Sequence, residues 1–135
     1  MAPDTNPFVG LVVVSHSRLI AEGTAELAGQ MAGPEVRIVA AGGMADGSIG
    51  TDAARIAEAL QAADAGAGVV VLADLGSAVL STRTALDLLD NPEHVRLSRG
   101  PIVEGAVMAA VQASTGSTLD EVLEAAEAAA TLPKG

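Results

Sequence analysis

Two histidines occur in 135 residues, and one of them keeps company suited to chemistry. His16 is flanked by hydroxyls, Ser15-His16-Ser17, where the apolar run Val9 to Val14 ends. A neutral imidazole is a good nucleophile at physiological pH and can carry a phosphoryl group on nitrogen. A second run, Val69 to Ala73, ends in Asp74-Leu75-Gly76-Ser77. A carboxylate closing so apolar a stretch is costly unless a partner holds it. If the two runs are neighbouring strands, Asp74 can accept a hydrogen bond from Nδ1–H of His16. That bond would fix the tautomer, leave Nε2 as the nucleophile and steady the developing positive charge, the orienting role of a triad aspartate. Asp74 can also cap the helix that follows, and the two roles are compatible. Gly76 and Ser77 open that helix, where free N–H groups and the helix dipole favour a phosphoryl group and glycine permits close approach. Ser77 can donate one more bond. Ser15 and Ser17 are further candidate phosphate donors, or else helix caps.

The remaining groups are weaker candidates. Gly42 and Gly43 end another apolar run and offer glycine-rich backbone to the same site. They start a long loop, residues 42–52, that lacks the Gly-Lys-Ser/Thr of a phosphate-binding loop. Nor does it match the dinucleotide fingerprint, which belongs after the first strand. The loop reads either as a rim to the site or as a plain connection capped by Thr51 or Asp52. His94 lies in the polar turn Asn91-Pro92-Glu93-His94, at the amino end of a strand, and reads as a solvated side chain away from the site.

Positioning these groups requires a sheet whose strand ends meet. Four aliphatic runs lack polar alternation, as strands covered on both faces do: Val9 to Val14, Val36 to Ala41, Gly68 to Ala73 and Val95 to Ser98. Between them, helical spacing puts Ile20, Thr24, Leu27 and Met31 on one stripe, with Glu22 and Glu26 off it. Ile56, Leu60 and Ala63 form a second stripe opposed by Arg55 and Glu58. Val79, Leu86 and Leu89 form a third, with Arg83 and Asp87 facing outward. Pro101 and Glu104 begin a helix reaching about Ala113. Thr118 and Glu121 make a capping box for the last helix, whose apolar stripe is Leu119, Val122, Leu123 and Ala126. Strand–helix alternation at roughly 30-residue steps is the signature of right-handed βαβ units. The expected architecture is α/β: one doubly wound domain over residues 1–135 with a mainly parallel four-stranded sheet and a helical C-terminus. Its core spans residues 8–130, and residues 131–135 form a frayed end or the start of a linker.

Composition narrows the function classes. The formal net charge is −10, and Phe8 is the only aromatic residue. Nucleic-acid affinity comes mainly from Lys and Arg releasing counterions, and single-strand binding from aromatic platforms, so nucleic acid is not an expected partner. An acidic surface suits transient meeting with a basic protein, or simply solubility. Without cysteine, disulfides and thiolate chemistry are excluded. No apolar run is long enough to cross a bilayer, and Met1 to Pro7 lack the pattern of a signal peptide, so the cytoplasm is the default location.

Leu11-Val12-Val13-Val14-Ser15-His16-Ser17, Ile49-Gly50-Thr51-Asp52, Asp74-Leu75-Gly76-Ser77-Ala78 and Pro101-Ile102-Val103-Glu104-Gly105 occur in order. Together they resemble the DhaM family, the phosphotransferase subunits of dihydroxyacetone kinase. The first domain of those subunits is similar to the mannose-family EIIA domains of the bacterial sugar phosphotransferase system. The resemblance spans roughly Phe8 to Ala130. It implies a phosphotransferase with a phosphohistidine at His16, loaded by HPr, with Asp74 bonded to that histidine and the Gly76-Ser77 turn cradling the phosphate. It further implies DhaL with bound ADP as the acceptor, DhaK as an indirect partner, a homodimer and no cofactor. The mannose-family domain swaps a final strand between subunits, yet no fifth strand is legible after Ala130; some DhaM chains continue into HPr-like and Enzyme I-like domains, and this sequence is either the single-domain form or a fragment of the longer one. Four rivals stand beside a DhaM phosphocarrier: a mannose-type EIIA serving a sugar-transport EIIB subunit, a regulatory module binding a small ligand without chemistry, a receiver-type aspartate phosphorylation domain, and a metal-dependent hydrolase. The last needs about three ligands, and the two histidines lie at opposite ends of the sheet. Receiver-type aspartate phosphorylation needs acids where this chain has Ser-His-Ser.

Overall fold

A computed structural model of the chain describes residues 6–135. The four aliphatic runs pair as parallel strands β1 (Gly10–Ser15), β2 (Ile38–Gly42), β3 (Val69–Ala73) and β4 (Val95–Leu97). Their order is β2-β1-β3-β4. Register is set by Val14 opposite Ala41 on one side and opposite Ala73 on the other. Five helices follow the strands: α1 (Arg18–Ala32), α2 (Ala53–Ala63), α3 (Gly76–Leu86), α4 (Ile102–Ser114) and α5 (Leu119–Ala128). Leu11, Val13, Val70 and Leu72 pack against α1, α4 and α5, while Val12, Val14, Val69 and Val71 pack against α2 and α3. Both faces of the sheet are therefore buried, which is why these strands carry no polar alternation. The α/β doubly wound architecture read from the sequence is the one observed. Strand order reverses between β1 and β3, and that is where open α/β sheets form their crevices.

Three details differ from the expectation. On α1 the residues facing the sheet are Ala21, Thr24 and Ala28, while Ile20, Leu27 and Met31 are 50, 46 and 58% exposed. The cause is close approach at Gly42, where a Cβ would lie 2.6 Å from Ser17 O and 2.7 Å from Ala21 Cβ. With the α1 backbone that near to β2, only small side chains fit beneath it, and the larger apolar ones turn outward. On α3 the fully buried residues are Ala78, Thr82 and Ala85; Val79 and Leu86 are half-buried, and Leu89 lies beyond the helix end. His94 does sit at the amino end of β4, but it is not merely solvated. Its Nδ1 lies 3.1 Å from Oδ2 of Asp64, the C-cap residue of α2.

The C-terminal elements follow the sequence closely. Pro101 is the N-cap residue of α4, with Glu104 in the first turn. The capping box is formed: Glu121 N–H donates to Thr118 Oγ1 at 3.2 Å, and Thr118 N–H donates to Glu121 Oε1 at 2.9 Å. Val122 and Ala126 are buried, with Leu119 and Leu123 packed beside them. Residues 129–131 form a single 3-10 turn, and the described residues hold no fifth strand. Lys134 Nζ reaches back to Glu104 Oε2 at 2.6 Å. Among the described residues, no helix is long and apolar enough to cross a membrane.

Candidate functional site

The parallel register of β1 and β3 brings the two polar strand ends together. Val14 pairs with Ala73, so the next residues, Ser15 and Asp74, emerge side by side on the same face of the sheet. His16 follows at once. Its Nδ1 lies 3.0 Å from Asp74 Oδ1. The same carboxylate accepts three more bonds: from His16 N–H at 3.0 Å and Ser15 Oγ–H at 2.8 Å on Oδ2, and from Leu75 N–H at 2.8 Å on Oδ1. Four donors fill the four lone-pair directions of a carboxylate. Burial alone would push the Asp74 carboxyl up, but the bonds from His16 N–H, Ser15 and the imidazole outweigh it and hold the carboxyl below its ordinary value of 3.8. Asp74 is thus an anion and an acceptor only, so the His16 proton resides on Nδ1 and the lone pair on Nε2.

Nε2 points toward the start of α3. Ser77 Oγ lies 2.5 Å from it, and with Nε2 unprotonated the hydroxyl must be the donor. The N-cap residue of α3 is Leu75, which makes no side-chain cap bond, so Asp74 does not cap this helix. The first N–H groups of any helix lack intrahelical acceptors. Here Gly76 and Ser77 supply them beside the imidazole, with the positive end of the helix dipole behind. A phosphoryl group on Nε2 would meet two amides and, once Ser77 turns from nitrogen to oxygen, a hydroxyl.

Other sequence candidates stand elsewhere. Ser15 is fully buried, and its hydroxyl accepts Ser17 N–H at 3.0 Å while donating to Asp74, so its proton cannot reach a phosphate. Ser17 is the N-cap of α1, accepting Ile20 N–H at 3.3 Å. Gly42 makes the close packing with α1, and Gly43 N–H donates to Ser15 O at 3.2 Å, so both back the site rather than face it. The 42–52 loop borders the site directly. Gly50 N–H donates to His16 O at 2.9 Å from a φ of +145°, a conformation side chains rarely adopt. Asp52 caps α2, and Thr51 Oγ1 bonds Ser81 Oγ at 2.6 Å, tying the loop to α3. Reasoning from residue types missed this clamp; a lone glycine in a glycine-rich loop carries no signal for it.

The surroundings of His16 are apolar and open. Ile49 and Leu75, each next to a residue of the site or its clamp, are 75 and 61% exposed, and Leu19, in the first turn of α1, is 69% exposed. The imidazole itself keeps 20% of its side chain accessible. A cleft of about 190 Å³ lies at the other end of the sheet, beside Asp64 and Val95. Among the described residues, no three His, Cys, Asp or Glu side chains are grouped as metal ligands.

Comparison with known proteins gives the family. Residues 10–123 match the EIIA-man family, described as PTS system fructose IIA component. The phosphoryl donor subunit DhaM of a PEP-dependent dihydroxyacetone kinase from Providencia stuartii is 43% identical over 126 residues, covering 90% of this chain and 26% of that protein. Its counterpart from Escherichia coli K12 is 44% identical, covering 85% of this chain and 25% of that protein. The chain therefore spans about a quarter of the length of these two relatives. A DhaM subunit of Listeria innocua is 38% identical, and the match covers 86% of this chain and 94% of that subunit. A crystal structure of a protein of unknown function superposes with a TM-score of 0.79 at 37% identity, over 89% of this chain and 93% of that one.

Proposed function

The chain belongs to the EIIA-man family, with DhaM phosphoryl donor subunits among its relatives, and we propose that it is the phosphocarrier of a dihydroxyacetone kinase. His16 accepts a phosphoryl group from the phosphohistidine of HPr and passes it to ADP held in a DhaL subunit, whose ATP then serves DhaK. The observation that carries this reading is the polarised imidazole, with Nδ1 held at 3.0 Å by Asp74 and Nε2 turned to the start of α3. The open apolar rim of Leu19, Ile49 and Leu75 suits a protein carrying the phosphate better than a small free substrate, which needs an enclosing pocket.

The transfer balances simply. The Nε2 lone pair attacks phosphorus in line, the N–P bond of the donor breaks, and its electron pair returns to the donor ring. The proton on Nδ1 stays, and the Asp74 carboxylate neutralises the cationic ring that results. Gly76 and Ser77 amides receive the phosphoryl oxygens. Most of the catalysis in such a transfer is positioning and electrostatics. Onward transfer reverses the roles, with a β-phosphate oxygen of ADP as the attacking atom.

The acceptor is tested by mixing the phosphorylated chain with DhaL carrying ADP. ATP should appear as the phosphate leaves His16. Phosphate retained against DhaL, but passed to a sugar-transport EIIB subunit, would overturn this assignment.

A second copy of the chain completes the reading. Ile20, Leu27 and Met31 of α1 and Val103 and Val111 of the neighbouring α4 are exposed and uncharged, in a chain of net charge −10. Exposed apolar side chains on neighbouring helices are stabilised when a second copy covers them. Leu27→Glu should convert a dimer to a monomer in sedimentation; a wild-type chain that sediments as a monomer would remove this part of the proposal.

A further inference from the structure

We infer that Ser15, a residue that cannot touch the transferred group, is a positioning residue that sets the tautomer of His16 through Asp74. Three observations carry this. Ser15 is 0% exposed, and a buried hydroxyl stays in place only with its bonds made. Its lone pair receives Ser17 N–H at 3.0 Å, which turns its single proton toward Asp74 Oδ2 at 2.8 Å. The parallel register makes it the strand residue beside Asp74, so the contact needs no flexible segment.

The consequence lies in the carboxylate plane. Oδ1 serves Leu75 N–H and the imidazole, while Oδ2 serves His16 N–H and Ser15. Without the hydroxyl, Oδ2 keeps only the His16 N–H, and the carboxylate plane is held less tightly about its Cβ–Cγ bond. The Nδ1–H bond then lengthens, the ring loses its preference for protonation at Nδ1, and a fraction of molecules carries the proton on the nucleophilic Nε2. Bonds in series also polarise one another, so removing the first weakens the last. Ser17 N–H heads the series, which links the start of α1 to the nucleophile.

The part of this inference that concerns rate rests on His16 being the phosphoryl acceptor; the part that concerns the tautomer does not. The experiment therefore has two arms on the full chain. In ¹⁵N spectra of the imidazole, the wild type should show one tautomer, protonated at Nδ1, and Ser15→Ala a mixture. In the rate of labelling from phosphorylated HPr, Ser15→Ala should lose about tenfold, as for a charge-assisted bond removed. The same change made in an Asp74→Ala background should cost nothing further, because the effect passes through that carboxylate. Equal losses in both backgrounds, or an unmixed tautomer in Ser15→Ala, would overturn the inference. If the wild type takes no label at all, the phosphocarrier reading falls and the tautomer arm alone decides Ser15. Should Ser15→Ala not fold, Ser15→Cys fills the space with a far weaker donor and must show the same mixing; a single Nδ1–H tautomer there would also overturn the inference.

Discussion

A His16→Ala chain takes no label from phosphorylated HPr and still folds. Loss of acceptance is complete because no second imidazole stands at this rim of the sheet. Ser77, the nearest hydroxyl, has no base once the ring is gone. Folding survives for reasons that can be counted on one carboxylate. Asp74 loses the imidazole but keeps Ser15 Oγ–H and the amides of His16 and Leu75, since backbone donors do not depend on the side chain. The ring is part-exposed at the end of a strand and supports no core residue. A shift in unfolding free energy of about 1 kcal/mol or less is expected, the scale of one lost hydrogen bond. His94 serves as an internal control, for it too has an aspartate at Nδ1. It lies in the 3-10 turn before β4, beside Asp64 and Glu93 and at the opposite end of the sheet from the start of α3. Label remaining on the variant would end the assignment of His16.

Asp74→Asn should slow acceptance by about 10²-fold or more, the scale set by losing the correct tautomer of an imidazole held by a carboxylate. An amide offers one acceptor oxygen where four donors converge. If its NH₂ faces the ring, Nδ1 must become the acceptor and the proton moves to Nε2, closing the nucleophile. The remaining donor on that side, Leu75 N–H, is left unsatisfied at a cost of about 1–3 kcal/mol. The stability effect has a sign that can be worked out. The carboxyl is held below its ordinary value, so the folded state favours the anion. Its contribution is present above the unfolded value and disappears as pH falls through the folded one. The wild type should therefore exceed Asp74→Asn in stability at neutral pH, and the difference should vanish in acid. A rate unchanged within twofold would leave Asp74 a structural anchor only.

The site was legible because it depends on features a sequence carries well. Val12 to Val14 and Val69 to Val71 read as strands buried on both faces, and two such runs each ending in a polar group define a rim. Their adjacency, β1 beside β3, was a condition in the sequence and a fact only in the sheet order. Ser15 and Ser17 looked alike as flanking hydroxyls. Strand geometry separates them: one points into the sheet interior and the other caps α1, and residue type does not record which. On α1, apolar periodicity found a stripe but could not tell a face covered by the sheet from a face left open. Ala21, Thr24 and Ala28 win the inner position because Gly42 admits the helix backbone so closely, a distance no single segment contains. The Asp64–His94 pair was invisible for the same reason, its members being 30 residues apart on different elements.

The most direct test is to load the ¹⁵N-labelled chain from phosphorylated HPr and read which nitrogen carries phosphorus. Coupling of ³¹P to Nε2 of His16, with Nδ1 still protonated, is the expected result. Phosphorus on His94, on Nδ1 of His16 or on a carboxylate would contradict it.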